Sequence, residues 1–436
     1  DAAAAARSLR LSEPLARAAV GYGGGFRGFN FGVYDPLLVA LLRDALDRLP
    51  ARDSYLRAQV LARTALALYD TPGSMTQRES LSRDAVEMAA RVGDVATQIG
   101  TLYIRHWAIW APENLEARRS TAEAIVGLAQ HSGNAEMELQ GRRFRAVDSL
   151  EAGDIATFNE DVAACGEVSE RLRQPYYTWY VSGFRALRAF LDGDFAGSER
   201  FTMDAMRVGQ RAQSQNVDQA VGAQLASLRR EQGRLAEVEP VFRSLVAQLP
   251  TVPSWRCGLA YLLVETGQID EARVVFDELA ANEFAGVARD TFWLVAMNVL
   301  SDVCAVLGNI ERAAVLYRLI EPFAERVAVN VVGTCMSSMA RCLGRLAATT
   351  RRFDEAIGHF DTALATETRL KAHPLVAHTQ HQYADALLAR GRSSDVTRAT
   401  ALLEPALQQF ERLGMPTFAA MAATSLKRAR RLKRRN

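Results

Sequence analysis

The chain has 436 residues, about half of them apolar, and a net charge of only +2. Seven positive charges crowd its end (Lys427, Arg428, Arg430, Arg431, Lys433, Arg434 and Arg435), so the rest carries −5 and lacks the basic surface of a nucleic-acid binder. No apolar run approaches the roughly 18 residues of a membrane-spanning helix. The five scattered cysteines, Cys165, Cys257, Cys304, Cys335 and Cys342, form no CxxC pair, which argues against a disulfide framework and for a reducing, cytoplasmic setting.

The sequence opens at Asp1 without Met, and 1–9 reads as the inside of a helix, as in a segment trimmed from a longer chain. A helix near Pro14–Val20, a Gly-rich loop from Gly21 to Gly32 and a helix from about Pro36 to Leu49 make an N-terminal hairpin over 1–50. The run Gly23-Gly24-Gly25-Phe26-Arg27-Gly28 formally matches GxGxxG. A dinucleotide fingerprint must follow a strand, whereas the preceding segment is helical, so the run is expected to be a connecting loop. Phe29 and Phe31 are placed to tuck back as a plug.

Farther along, a frame repeats. Gly153, Gly193, Gly233, Gly267, Gly308, Arg351 and Gly391 stand 40, 40, 34, 41, 43 and 40 residues apart. Seven residues before them lie Ala146, Ala186, Ala226, Ala260, Ser301, Gly344 and Ala384. Five, nine and twelve residues after come sets such as Val238/Phe242/Leu245, Ala272/Phe276/Leu279, Ala313/Tyr317/Ile320 and Ala356/Phe360/Ala363. Each mark predicts a left-handed helix cap, and the spaced apolar residues predict one face of a second helix. A small residue on each helix lets the two approach, and the aromatic fills the gap to the next hairpin.

The frame is clear over 133–413 and weaker over 51–132, where Gly73 and Pro112 stand at the expected places. Residues 414–436 give a capping helix and the basic tail. A period of this size means a stacked array. The predicted fold is all-α: a right-handed α-solenoid of about nine helical hairpins, one domain over 1–436. No β-period is found. Cys335 and Cys342 fall seven apart on one predicted helix, too far for a disulfide.

Ala356, Phe360 and Ala363 after Gly344 give Ala-x3-Phe-x2-Ala, which resembles the tetratricopeptide repeat. Arg229–Glu237, Arg289–Leu294, Leu346–Thr349, Ala356–Phe360, Ala377–Gln380 and Leu413–Met415 resemble something narrower. They are similar to the C-terminal repeat region of MalT-like (LuxR-type) regulators and class III adenylate/guanylate cyclases, in which a STAND-type ATPase precedes the repeats. The resemblance implies a non-catalytic ligand- or protein-binding sensor or scaffold module of a signalling ATPase or nucleotide cyclase. No Gly-x4-Gly-Lys-Ser/Thr and no cyclase signature occurs in this chain, and it stops soon after Gly414-Met415 without a helix-turn-helix. That favours an ATPase–cyclase arrangement or a stand-alone repeat protein over a DNA-binding regulator.

By the same resemblance the first helix of each hairpin lines a concave face. Residues ten and six before the marks then point inward and select Arg143, Tyr261, Asn298, Asp302, Arg341, Arg345, His381 and Asp385; His106 comes from the weaker Pro112 unit, and Tyr180 and His378 lie thirteen before their marks. This polar set predicts a protein partner or an anionic small molecule in the groove, centred on Arg341 and Arg345, since guanidinium suits carboxylate and phosphate. The alternative is a set of internal ion pairs, Arg345 with Asp302 or Asp385. His378, His381 and Asp385 share a helix face with zinc-compatible spacing, but three ligands fall short of a structural site, so hydrogen bonding is expected and no metal or cofactor. No nucleophile–base set is identifiable. The other function class is a stand-alone solenoid enzyme acting on a small molecule held in its cavity.

Overall fold

The computed structural model describes residues 2–26, 29, 31–212, 216–331 and 333–434. Contacts group these into two compact units: unit 1 is 1–148 with 160–173, and unit 2 is 149–159 with 174–436. All seven clear marks of the repeat frame, from Gly153 to Gly391, fall in unit 2.

In unit 1 and its border the helices are α1 (Ala2–Ser8), α2 (Ser12–Tyr22), α3 (Pro36–Arg48), α4 (Tyr55–Ala67), α5 (Met75–Val92), α6 (Val95–Ala108), α7 (Leu115–His131), α8 (Ala135–Glu151) and α9 (Ile155–Leu172). The turn joining α8 to α9 groups with unit 2. Unit 2 holds α10 (Pro175–Asp192), α11 (Phe195–Arg211), α12 (Asn216–Glu231), α13 (Glu239–Gln248), α14 (Pro253–Glu265), α15 (Ile269–Leu279), α16 (Trp293–Leu307) and α17 (Ile310–Ile320). After them come α18 (Met339–Thr349), α19 (Phe353–Arg369), α20 (His373–Arg390), α21 (Ser393–Leu413) and α22 (Pro416–Lys433). Among the described residues eight helix pairs pack as hairpins, α4 with α5, α6 with α7, and α10 with α11 through α20 with α21, and α22 covers the last. The architecture is an all-α solenoid.

The local physics of the frame is visible at its marks. All seven adopt positive φ, from 60° at Arg351 to 80° at Gly193 and Gly267. The left-handed region is nearly free for Gly and costs Arg351 strain, which explains why Gly fills the other six. Gly344 lies against the Phe360 ring: a Cβ there would meet it at 3.0 Å. Phe360 then stacks on Tyr383 of the next hairpin, with ring centroids 5.4 Å apart. Phe242 meets Trp255 of the next hairpin edge-on, also at 5.4 Å. Helix starts are capped as the turn residues suggest: Asp94, Asp194 and Asn309 accept from the amides of Thr97, Gly197 and Arg312. In unit 1, Phe29 and Phe31 do tuck back, onto Tyr69 and Trp107. The glycine run follows helix α2, not a strand, while Arg27 and Gly28 lie outside the described residues.

The expectation of no β-structure is corrected. Residues between α17 and α18 form an antiparallel hairpin, β1 (Val327–Asn330) and β2 (Thr334–Ser338), with Val329 opposite Cys335 and Asn330 opposite Thr334. Val327, Val329 and Val331 favour extended backbone, and Gly333 turns at φ 82°. Cys335 therefore sits on β2 and Cys342 on α18, not on one helix. All five cysteines are buried free thiols, each pushed up to about 12 by burial. Among the described residues no helix is long and apolar enough to cross a membrane.

Candidate ligand-binding site

Unit 2 closes on itself. Arg188 of α10 donates to the carbonyls of Leu370 and Lys371, just before α20, at 3.3 and 3.2 Å. Gly193 faces Leu413, and Gly233 faces Thr417; a Cβ on either would clash. Helix α12 packs on α22, and α10 on α20. Closure brings the first helices of the hairpins around a common interior.

Nine of the eleven predicted site residues lie in unit 2. Arg345 pairs with Asp302 across α16 and α18, so the internal ion pair offered as the alternative is present. Asn298 donates to the Ser337 hydroxyl of β2. Arg341 is buried, with Nη2 3.5 Å from the Met336 carbonyl and Nη1 without a hydrogen bond. His378 Nε2 lies 2.8 Å from Glu231 of α12, and burial pulls the ring down to about 4, so it is neutral at pH 7 and donates. Glu231 is itself held at about 2 despite burial, by His378 and Arg230. His381 and Asp385 share a different partner, Ser425, at 3.3 and 2.8 Å. The two histidines thus serve separate contacts, and among the described residues no cluster of metal-ligating side chains forms. Tyr261 faces Arg230, and Tyr180 stacks on Trp179 at 3.7 Å.

Unit 1 holds the other two, deep in its core. His106 Nε2 lies 2.8 Å from Asp148, which also accepts from Arg118; all three side chains are fully buried. The His106 ring stacks on Phe144 at 3.8 Å, and burial keeps it neutral. Arg143 lies over Phe144 and Trp107, at 4.9 and 5.6 Å.

Offsets from the marks missed the central cation of unit 2. Arg230 donates through Nε to Glu265 at 3.0 Å and through Nη1 to Glu231 at 2.8 Å, and stands 4.5 Å over the Phe418 ring. It sits only three residues before Gly233, where a charged residue ordinarily reads as an exposed helix end. Gln224, also missed, is buried on α12: its Nε2 donates to Gly183 at 2.9 Å and to Gly333 at 3.0 Å, and its Oε1 accepts from Thr202 at 3.3 Å. This one amide anchors the tip of the β-hairpin inside unit 2.

Beside the hairpin lies a cavity of about 90 Å³ between α12, α13, α14 and α16. Its wall is mostly apolar, with Phe242, Trp255, Tyr261, Phe292 and Met336; Arg230, Asn330 and Thr334 add polar groups. Ala226 is the small frame residue here, and it is only half-buried because its face borders this space. A second, open groove runs past Arg345, Gln382 and Asp385 along α18 and α20.

A tetratricopeptide repeat family model matches residues 229–285, the stretch that supplies Arg230, Phe242, Trp255 and Tyr261. No curated protein matches the chain. Among solved structures, a Rap protein complexed with competence and sporulation factor is similar at 9% identity and TM-score 0.37, covering 87% of this chain and 99% of that one. The APC/C hetero-tetramer Cut9–Hcn1 is similar at 12% identity and TM-score 0.33, covering 96% and 95%.

Proposed function

We propose that the chain is a non-catalytic binding module, with the interior of unit 2 as its ligand site and the β1–β2 hairpin as the element that registers occupancy. The observation that carries this is the cavity itself, which borders a hairpin held at its tip by Gln224. A ligand there touches β1 and β2 directly, so its binding energy biases the hairpin between held and released states. The titratable groups nearby are engaged with one another in pairs, which suits binding and not turnover. A partner protein is placed on the open groove past Arg345, Gln382 and Asp385. By the resemblance of the repeats, the response passes to an ATPase or cyclase region of the same signalling protein. Native mass spectrometry of the purified chain, followed by a thermal-shift screen of small molecules, tests the site. The expected result is a retained or stabilising small molecule whose effect is lost in Ala226→Leu, which fills the cavity. Stabilisation that persists in that variant overturns the assignment.

A further inference from the structure

The charges around the cavity say what kind of molecule it accepts. Arg230 is the cation on its wall, and it is already matched by Glu231 and Glu265. Asp302 and Arg345 form the next pair along. Three carboxylates thus face two guanidinium groups, and the neighbouring His378 is neutral. An anion in the cavity meets no unmatched positive charge on its wall, since Arg341, the buried guanidinium with an unpartnered Nη1, does not line it, and the anion loses its hydration, a cost that a low-dielectric site does not return.

One polar group on the wall is unmatched. Thr334 is 4% exposed, its backbone amide donates to Asn330, and its hydroxyl Oγ1 has no hydrogen-bond partner. A buried hydroxyl without a partner is destabilising, and a ligand group that pairs with it relieves that cost. The Ser227 hydroxyl, also on the wall, donates to Ala223 and is satisfied. The wall around Thr334 is aromatic and aliphatic, and an apolar cavity of about 150 Å³ takes benzene. The space here, about 90 Å³, suits a body of roughly four heavy atoms by that comparison.

We infer that the cavity takes a small neutral molecule with an apolar body and a single hydrogen-bonding group that pairs with Thr334. This rests on unit 2 being the ligand site proposed above, and it replaces the anion expected from the arginines with a neutral ligand class.

The probes are butanol, butanoate and chlorobutane, titrated into the full chain carrying fluorotryptophan. The Trp255 resonance, assigned with Trp255→Phe, reports the cavity. Butanol should shift it and bind at least tenfold more tightly than butanoate. Thr334→Val should weaken butanol about tenfold, the value of one hydrogen bond, and leave chlorobutane unchanged. Ala226→Leu should abolish both shifts; Ala223→Leu fills the same space and replaces it if the first variant does not fold. Butanoate binding as tightly as butanol overturns the neutral class while leaving the site standing, and butanol affinity unchanged by Thr334→Val overturns the pairing with Thr334. No shift from any probe overturns the ligand site and, with it, this inference.

Discussion

Replacing Gln224 by Leu tests whether one amide holds the β-hairpin. The substitution keeps approximate volume and removes three hydrogen bonds: those to Gly183 and Gly333 and the one from Thr202. Gly183 lies within α10 and keeps its helical partner, so its loss is small. Gly333 sits in the turn, and its carbonyl is left buried beside an apolar side chain. Each lost bond is worth about 1 kcal/mol, and an orphaned buried group about 1–3 kcal/mol, so we expect a loss of about 2–4 kcal/mol. If the hairpin opens on its own, that loss appears as hydrogen exchange about 30–900-fold faster in peptides covering 327–338. Peptides from α14 should change far less. Mass-spectrometric exchange on the intact chain reads both. Unchanged protection in 327–338, with a thermal midpoint equal to wild type, refutes the anchoring role. Equal acceleration in α14 shows instead that the hairpin does not open as a separate unit.

Two further predictions concern packing and pH. Ala356→Leu, at a fully buried site between α18 and α19, should cost about 1–3 kcal/mol by overpacking, whereas Ala365→Leu, exposed on the same helix, should stay within about 0.5 kcal/mol; equal losses in denaturant melts refute the face assignment. Glu367 is fully buried, accepts from Ser338 and Thr379, and is raised from 4.5 to about 6 by burial, opposed by Arg341. With its folded value above its unfolded one, its stabilising contribution is complete below about pH 4.5 and lost as pH rises through about 6, on the order of 2 kcal/mol. His106, His378 and His381, all lowered by burial, tilt the stability curve the other way. The measurement is therefore the difference between the wild-type and Glu367→Gln curves, which should favour the wild type less as pH rises; a flat difference refutes it.

Local chemistry was legible in the sequence, and long-range closure was not. The marks stated a backbone requirement, φ > 0, that few residues meet, and the small and aromatic positions stated a helix–helix distance. Those signals repeat because each hairpin solves the same packing problem with its neighbours. The β-hairpin broke the period without erasing it: the Gly308-to-Arg351 spacing of 43 is the longest of the six, yet the frame resumes at Gly344. Val327, Val329 and Val331 alternate as a strand does, but a helical register was already assigned to the segment. Arg230 and Gln224 were missed for another reason. Gln224 finds Gly183 and Gly333 at 41 and 109 residues away, and Arg230 is tied to α20 through Glu231, whose partner His378 is 147 residues away; no offset inside one repeat relates α12 to α20. Which hairpins meet depends on small rotations that add from one to the next.

The charged interior makes that closure specific. Arg230 is held by an acid on its own helix, an acid on α14 and, through Glu231, a histidine on α20. Burying such groups gains little net energy against an apolar core, since desolvation offsets most of the attraction. Misplacing them is far more costly. A slip of α20 by one turn moves His378 by about 5.4 Å, separates it from Glu231 and leaves a buried carboxylate with one partner fewer, a change on the scale of several kcal/mol. Apolar contacts such as Gly193 on Leu413 tolerate small shifts, whereas a hydrogen bond at 2.8 Å does not. The buried charges around Arg230 therefore serve first to fix one arrangement of the hairpins. What remains open beside them, the cavity at Thr334, is shaped by that arrangement.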